Sequence, residues 1–342
     1  MNSEPHVLVF RTDRIGDLIL SLPLAEAVKR AVPAARVTYC VQRPLEALAR
    51  MSPFVDGTIG IGGRDLDPAD GDFREVLATL QPDIAFFAYP RPKLAFAVAR
   101  ARVRLRVGTA YRWYSPLFTH KVREHRKKAA RHERDYTLAL AERLGMPVRP
   151  LPDPKLVVPQ DASAAAEVFL EEHGIGHETR FVVVHPGSGG SAKDWDAENF
   201  GLLARALSVH DPRLVILVSG TESEKQLMTR AAAASENARI FQRHLTLPEL
   251  AAVYARAALF AANSTGPLHL AAAVGTPVLG LYPFERVCNP RRWGPLGARA
   301  RVLTPDVERG CAACRAESCA RHDVMARITV DRAIEAAVSL LG

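Results

Sequence analysis

Short apolar runs alternate with helix-period segments along the first half of the chain. The strand-like runs are His6–Phe10, Arg36–Val41, Gly57–Ile61, Asp83–Ala88 and Val103–Gly108. Helices are predicted between them at Leu18–Val32, Arg43–Arg50, Phe73–Leu80 and Pro92–Ala101. Strands that are apolar throughout and separated by helices are typical of parallel sheets with both faces covered.

The same pattern recurs in the second half. Strands are predicted at Arg180–His185, Leu214–Val218, Ala238–Phe241, Ala258–Ala262 and Val278–Tyr282. Helices are predicted at Ala197–Ser208, Ser223–Ala234, Leu247–Ala257 and Thr265–Val274. Residues 145–160 contain five prolines in 16 residues, which is typical of a linker. The sequence therefore predicts two doubly wound α/β domains that face a central cleft, at 1–155 and 156–325. A C-terminal helix over 326–342 could pack back on the N-terminal domain.

Composition excludes several classes of protein. The chain has 342 residues, of which 48% are hydrophobic and 24% charged, so a mainly disordered chain is excluded. The longest weakly charged stretch, 268–284, is interrupted by His269, two prolines and two glycines, so no membrane-spanning helix is expected. No leader pattern precedes the first strand, and the five cysteines are an odd number. We therefore expect a cytoplasmic protein without a disulfide framework.

The positive charge is confined to one half. Residues 1–150 hold 25 Lys and Arg against 16 Asp and Glu, a balance of +9, whereas the rest of the chain has a balance of −1. No acid occurs between Asp83 and Glu124. Such a field attracts nucleic acid, an anionic membrane or a phosphorylated acceptor. The alternative is an arginine-rich surface that is merely solvated.

Chemically suggestive residues follow the first strand, where ligands of open α/β sheets bind. Asp17 lies at a helix start beside Gly16, and Asp13 lies one turn earlier. Asp17 could cap the helix, but Asp13 could do so equally well, which would leave Asp17 free to face the cleft as a base. Arg11 and Arg14 would favour the charged form of such a carboxylate and could hold an anionic acceptor.

The loop 186–195 follows the first strand of the second half. It fails the P-loop pattern, because Ala192 and Asp194 stand where glycine and serine or threonine are required. Its small residues, among them Ser188 and Gly189, expose backbone amides, and Lys193 supplies a positive charge. The loop therefore predicts phosphate binding, with a flexible structural loop as the alternative.

A third turn, 263–269, precedes another helix. Ser264 or Thr265 can cap that helix, and Gly266 opens its backbone to a ligand. The turns 186–195 and 263–269 are both suited to binding phosphate and follow strands of the same predicted sheet. Together they predict a diphosphate site. His269 could be a binding residue or a packed histidine. Glu222 occupies a position where an acid commonly binds a ribose.

Three motifs follow one another along the chain: VLVFRTDRIGDLILSLP, HPGSGGSAKDW and ANSTGPLHLAAAVGTPVLGLYP. In these motifs and in their order, the chain resembles glycosyltransferase family 9, the heptosyltransferases of lipopolysaccharide core assembly. The resemblance covers residues 6–335. It implies a GT-B architecture of two Rossmann-like domains. It further implies inverting transfer of L-glycero-D-manno-heptose from ADP-heptose to a lipid-linked core saccharide, with neither metal nor cofactor. The enzyme would then work in the cytoplasm, in transient contact with the inner face of the inner membrane.

The resemblance also implies roles for individual residues. Asp17 matches the general base, Lys193 the pyrophosphate-binding lysine and Glu222 the ribose-binding acid. Thr265, Gly266 and His269 match the donor-binding motif. The expected donor-binding residues are Ser188, Gly189, Lys193, Glu222, Leu245, Ser264, Thr265, Gly266 and His269, with Asp17 and Lys193 catalytic. The expected acceptor-binding residues are Arg11, Asp13, Arg14, Arg123 and His132.

Two features depart from the family pattern. Ser264 stands where many members carry an aspartate expected to contact donor sugar hydroxyls, so a sugar other than heptose is an alternative. Cys311, Cys314 and Cys319 are weak candidates for a metal site, because a tetrahedral site needs a fourth ligand. His322 or Cys288 could supply that ligand, and reduced thiols without metal are the expectation.

Other functions remain alternatives. The same fold could use another nucleotide sugar, act on an acceptor outside lipopolysaccharide, or epimerise a nucleotide sugar. A basic nucleic-acid-binding protein is the alternative from another class, although no nucleic-acid-binding motif occurs and no nucleic-acid partner is expected.

Overall fold

The computed structural model describes residues 4–62, 72–241, 244–285, 288–306 and 325–342. The chain forms two compact units. The N-terminal unit comprises Met1–Lys127 and Arg131–Val157, and the C-terminal unit comprises Lys128–Ala130 and Val158–Gly342. Residues 146–159 form neither helix nor strand, as the prolines predict.

The N-terminal unit is built on a parallel sheet of six described strands. They are β1 (His6–Phe10), β2 (Arg36–Gln42), β3 (Gly57–Ile61), β4 (Ile84–Phe87), β5 (Leu105–Thr109) and β6 (His120–Val122). Their order is β3-β2-β1-β4-β5-β6. Phe10 pairs with Cys40 on one side and with Phe87 on the other. Apolar side chains cover this centre because both of its faces are packed under helices.

Helices occur at all four predicted positions of this unit, one of them broken in two, and α6 is an additional helix. They are α1 (Ile15–Ser21), α2 (Pro23–Ala31), α3 (Glu46–Arg50), α4 (Asp72–Leu80), α5 (Pro92–Arg100) and α6 (Glu133–Glu142). The single helix predicted at Leu18–Val32 is wrong, since the segment forms α1 and α2. Pro23 has no amide hydrogen to continue the helical ladder, so the chain restarts there.

The C-terminal unit repeats this topology. Its strands are β7 (Phe181–His185), β8 (Val215–Val218), β9 (Ala238–Ile240), β10 (Leu259–Asn263), β11 (Val278–Leu281) and β12 (Ala300–Leu303). Their order is β9-β8-β7-β10-β11-β12, all parallel. The helices are α7 (Gln160–Glu172), α8 (Ala197–His210), α9 (Lys225–Ala232), α10 (Leu247–Arg256), α11 (Gly266–Ala273), α12 (Pro290–Trp293) and α13 (Val330–Leu341). The predicted α/β class with two doubly wound sheets is confirmed.

Five elements were not predicted, and the predicted C-terminal helix is present. That helix, α13, packs in the core of the C-terminal unit through Ala333, Ala336 and Ala337. Strands β6 and β12 were not predicted, because each is short, lies at a sheet edge and has no continuous apolar run. Helices α6, α7 and α12 were also not predicted. Among the described residues, no helix is long and apolar enough to cross a bilayer.

Both sheets reverse their strand order beside a central pair. In the N-terminal sheet, β1 and β4 are neighbours from which the chain winds in opposite directions, and β7 and β10 are the corresponding pair in the C-terminal sheet. Loops separate at such switch points, which leaves a crevice beyond the carboxyl ends of the strands. The fold therefore places one candidate site on each unit.

Candidate active site

A buried arginine lies at the switch point of the N-terminal sheet. Arg11 directly follows β1, and its side chain is only 1% exposed. Its Nη1 atom donates to the carbonyl oxygen of Ala88, the residue after β4, at 3.3 Å. The guanidinium therefore bridges the ends of the two central strands.

Three carboxylates surround this guanidinium. Nη2 of Arg11 donates to Oδ1 of Asp17 at 2.6 Å, and Nη1 donates to Oε1 of Glu133 at 3.1 Å. Nε lies 2.9 Å from Oδ1 of Asp13 as an ion pair without hydrogen-bond alignment. Nη1 of Arg126 donates to the same Oε1 of Glu133 at 2.8 Å. These five residues form what we call the carboxylate cluster.

The hydrogen bonds of the cluster decide between the two roles predicted for the aspartates. The residue at the N-cap of α1 is Arg14, and no side chain caps the helix. Asp13 and Asp17 are instead held by Arg11. Asp17 lies in the first turn of α1, and its side chain is 19% exposed, so the carboxylate is partly accessible from solvent.

Burial and crowding shift the pKa values of the cluster. Burial raises the pKa of Asp13 to about 7, and the negative charges of Asp17 and Glu133 add to this effect against the attraction of Arg11. For Arg11, burial would lower the pKa, but the nearby charges of Asp13, Glu133 and Asp17 outweigh it, so its pKa is raised. Arg11 is therefore charged at every physiological pH.

The other residues expected to bind the acceptor have varied surroundings. Arg14 and Arg123 are exposed. Arg123 lines an open groove of about 660 Å³ together with Lys121 and Arg143. His132 is the N-cap of α6, where its Nδ1 accepts from the amide of Arg134 at 3.2 Å. This cap places the next residue, Glu133, in the carboxylate cluster.

A buried asparagine holds the phosphate-type loop at the switch point of the C-terminal sheet. Asn263, the last residue of β10, is 0% exposed. Its Oδ1 accepts from the amide of Trp195 at 2.8 Å, and its Nδ2 donates to the carbonyl of Pro186 at 2.6 Å. Both ends of the loop 186–195 are thereby fixed to the end of a core strand.

The interior of this loop is also organised by its own polar groups. Gly189 and Gly190 adopt φ values of +58° and +73°, which L side chains rarely adopt. The hydroxyl of Ser188 donates to the carbonyl of Ala192 at 3.2 Å. The hydroxyl of Ser191 lies 2.7 Å from the carbonyl oxygen of Ser188. The loop is therefore a defined turn, fixed by its own hydrogen bonds and by two glycines in the left-handed region.

The buried carboxylate of Glu224 supports the loop 186–195. It is 7% exposed and accepts from the amides of Gly189 at 3.1 Å and Thr221 at 2.9 Å. A Cβ on Gly187 would collide with its carboxylate. Burial would raise the pKa of Glu224, but the hydrogen bonds from Thr221 and Gly189 and the nearby His185 together lower it. Burial lowers the pKa of His185, whose Nδ1 lies 2.9 Å from the hydroxyl of Ser219.

The two charged residues predicted to bind the donor are accessible. Nζ of Lys193 lies 3.1 Å from Oε1 of Glu285, and both side chains are partly exposed. Glu222 is exposed and lies 3.6 Å from Nζ of Lys225. Within the described ranges, each of these two side chains therefore forms one ion pair at the surface.

The start of α11 lies at the end of β10. Thr265 is its N-cap residue, and no side chain caps the helix. Ser264, Thr265 and His269 are buried, and Gly266 is half-buried. Leu245 is half-buried just ahead of α10. The amides at the start of α11 and the loop 186–195 thus follow the two neighbouring central strands, β10 and β7.

Three cysteines predicted as weak metal candidates, Cys311, Cys314 and Cys319, lie outside the described residues, as does His322. Cys288 is half-buried, and its thiol donates to the carbonyl of Ser191 at 3.3 Å. Cys40 is buried in β2, which raises its pKa.

Sequence reasoning missed several residues that shape these sites. They are Glu133, Arg126, Asn263, Glu224 and Glu285. A capping-box pattern, Thr221 followed three residues later by Glu224, was a local signal for Glu224, and the structure contains this box. The others depend on partners far away in the sequence, for which no local pattern exists.

Comparison with known proteins agrees with this architecture. The sequence profile of glycosyltransferase family 9 (heptosyltransferase) matches residues 77–325. A Haemophilus influenzae protein provisionally named a glycosyltransferase is 29% identical over 320 residues, which cover 90% of this chain and 88% of that protein.

Solved structures share the fold. The glycosyl transferase family 9 protein from Veillonella parvula superposes with a TM-score of 0.85 at 23% identity, covering 100% of this chain and 98% of the other. The ADP-heptose lipopolysaccharide heptosyltransferase II of Escherichia coli superposes with a TM-score of 0.78 at 21% identity, covering 98% of each chain. These TM-scores over nearly the whole of each chain show that this chain has the GT-B fold of those structures.

Proposed function

The chain belongs to glycosyltransferase family 9, and we propose that it transfers L-glycero-D-manno-heptose from ADP-heptose to a lipopolysaccharide core acceptor. The observation that carries the proposal is the pair of switch-point sites. The C-terminal unit presents amides and a lysine suited to a diphosphate. The N-terminal unit presents an arginine-held aspartate suited to a base.

The donor diphosphate is assigned to the C-terminal unit. The loop 186–195 supplies backbone amides, the start of α11 supplies a positive dipole end, and Lys193 supplies a full charge. Ser188, Gly189, Thr265, Gly266 and His269 line these elements. Glu222 would bind the ribose, and Leu245 would lie beside the nucleoside. The E. coli relative is named for ADP-heptose, which supports this donor.

Asp17 is assigned as the base. Arg11 holds one of its oxygens at 2.6 Å, which fixes the orientation of the other. As the acceptor hydroxyl attacks the anomeric carbon, its proton passes to Asp17, and the bond from that carbon to the β-phosphate oxygen breaks. The product is an inverted glycoside plus ADP. General-base assistance of this kind is worth about 10²–10⁴-fold in rate.

Negative charge then develops on the departing ADP. Lys193 and the two sets of amides stabilise it from fixed positions, a form of electrostatic catalysis. Because this positive charge comes from the chain, we propose that the reaction needs no divalent metal. Arg11, Asp13, Arg14, Arg123 and His132 are assigned to the acceptor side, where the basic field would attract an anionic, lipid-linked saccharide at the inner face of the inner membrane.

Ser264 favours a second candidate for the donor. It stands where the family commonly has an aspartate toward the sugar, and a serine offers a weaker, neutral contact. A family 9 enzyme with another nucleotide sugar, or with an acceptor outside lipopolysaccharide, is the alternative.

The test is a transfer assay. The protein is incubated with ADP-heptose and deep-core lipopolysaccharide, with parallel reactions that contain other ADP-, GDP- or UDP-sugars. Heptosylated lipid should form, should persist in EDTA, and should be absent with Asp17→Asn. Transfer from a different sugar alone would select the second candidate, and no glycoside from any donor would reject both.

A further inference from the structure

Four exposed aromatic side chains are concentrated in one segment of the N-terminal unit. Tyr89, Phe96, Tyr111 and Trp113 are 37%, 42%, 46% and 75% exposed. Among the described residues, the other exposed large hydrophobic side chains are single aliphatic residues and Phe284. Isolated exposed apolar side chains need no explanation, but a cluster of aromatic ones marks an interaction surface.

These aromatic residues form a supported surface. The rings of Phe96 and Trp113 are 5.8 Å apart, and Trp113 packs edge-on against Tyr114 at 5.4 Å. Tyr114 is buried, and its hydroxyl donates to the carbonyl of Pro90 at 2.8 Å. The exposed ring of Trp113 therefore packs against the buried ring of Tyr114.

Cations accompany the rings. Arg91 lies over the ring of Tyr89 at 5.0 Å, and Arg112 is exposed beside Trp113. The segment lies inside the acid-free tract between Asp83 and Glu124. We call Tyr89, Arg91, Phe96, Arg112 and Trp113 the aromatic–arginine surface.

The aromatic–arginine surface adjoins the carboxylate cluster. Nε of Arg91 donates to the hydroxyl of Thr12 at 3.0 Å, and Thr12 lies between Arg11 and Asp13 in the chain. The aromatic–arginine surface is thus formed by the segments that follow β4 and β5. These segments lie at the carboxyl end of the sheet, as Asp17 does after β1.

We propose that the aromatic–arginine surface docks on an anionic phospholipid bilayer. Amphipathic rings with arginines are the combination that binds the headgroup region, because the rings enter the apolar boundary while the guanidinium groups pair with phosphates. Charge complementarity favours anionic lipid. This inference rests on the proposed function, since it would hold Asp17 near the saccharide of a lipid-linked acceptor.

The test measures binding of the full chain to vesicles, without donor or acceptor. Phosphatidylcholine vesicles that contain about one third phosphatidylglycerol are compared with pure phosphatidylcholine vesicles by flotation, at low and at high salt. The wild type should bind the anionic vesicles more strongly, and added salt should weaken binding. Trp113→Ala should reduce the partition coefficient about tenfold, and Phe96→Ala with Trp113→Ala should reduce it further.

Val209→Ala is the matched control. Val209 on α8 of the C-terminal unit is 74% exposed, nearly the same fraction as Trp113, so this variant tests whether truncating any highly exposed apolar side chain lowers binding. It should bind as the wild type does, and all variants should share one urea midpoint. Absence of binding, equal loss in Val209→Ala, or binding to nucleic acid instead of vesicles would overturn the inference.

A second measurement separates this inference from the proposed function. Trp113→Ala should lower transfer to acceptor embedded in vesicles but leave transfer to the delipidated core saccharide unchanged. Equal loss on both acceptors would show that Trp113 binds the saccharide and would overturn the bilayer assignment. Failure of all transfer would reject the proposed function while the vesicle result stands.

Discussion

Arg11 and Glu133, which lie 122 residues apart in the chain, form an ion pair of 3.1 Å in which both side chains are 1% exposed. The pair joins the end of β1 to the start of α6. Because Arg11 also holds Asp17, the proposed base takes its position from a residue remote in sequence.

Glu133→Gln should lower the free energy of unfolding by about 1.5–3 kcal/mol, because it weakens the charged hydrogen bonds from Arg11 and Arg126 while Asp17 and Asp13 still pair with Arg11. Urea denaturation measures this change. Glu142→Gln, an exposed position on the same helix, should change stability by less than about 0.5 kcal/mol. Similar effects of the two variants would contradict a structural role for the Arg11–Glu133 pair.

Asp13→Asn should change how stability depends on pH. The folded-state pKa of Asp13, about 7, lies above the ordinary 3.8, so the folded state holds the proton more tightly. Stability from this group is fully present below pH about 4 and is lost as the pH rises through about 7. Because asparagine does not titrate, the stability of the variant relative to the wild type should increase as the pH rises from about 4 to about 7. A stability difference that is constant from pH 4 to 8 would exclude the shift.

Asp17→Asn should reduce kcat by about 10²–10⁴-fold with little change in ADP affinity, because the amide cannot accept the acceptor proton. Steady-state transfer and calorimetric ADP binding measure both quantities. Asp161→Asn, an exposed aspartate at the start of α7, is the control and should behave as wild type. A variant that keeps more than about a tenth of the rate removes Asp17 as the base.

Lys193→Ala should weaken ADP binding by about 1.5–3 kcal/mol, the range for hydrogen bonds to charged groups. Titration calorimetry measures the affinity, and Lys155→Ala, at an exposed lysine of the linker, is the control. Unchanged ADP affinity would make the loop 186–195 purely structural.

Glu285→Gln should strengthen ADP binding by about 0.2–1 kcal/mol. The carboxylate of Glu285 neutralises Lys193 at 3.1 Å in the absence of ligand, and a diphosphate must replace it. The gain should vanish in the Lys193→Ala background. A gain that persists there would show that Glu285 acts on ADP by general repulsion.

Local patterns anticipated the elements that carry them. Continuous apolar runs predicted β1 and β7 because a strand buried on both faces needs no polar positions. The prediction of one helix across Pro23 was wrong. It followed the apolar periodicity of the segment, whereas the proline, which has no amide hydrogen, divides the segment into α1 and α2. The turns after the central strands were found because small residues and helix starts are visible in sequence. His132 was expected at the acceptor side only from the family resemblance, and its cap on α6 required the structure.

The sequence by itself determined the alternation of strands and helices, the position of the linker, the confinement of positive charge to the first half and the loop residues at strand ends. These depend on neighbours within a few residues, where periodicity and composition act directly. Only the tertiary structure decided that Asn263 fixes the loop 186–195, that Glu224 supports it and that Glu133 holds Arg11. Those contacts follow from strand order, which brings together side chains that the chain itself keeps 35 to 122 residues apart.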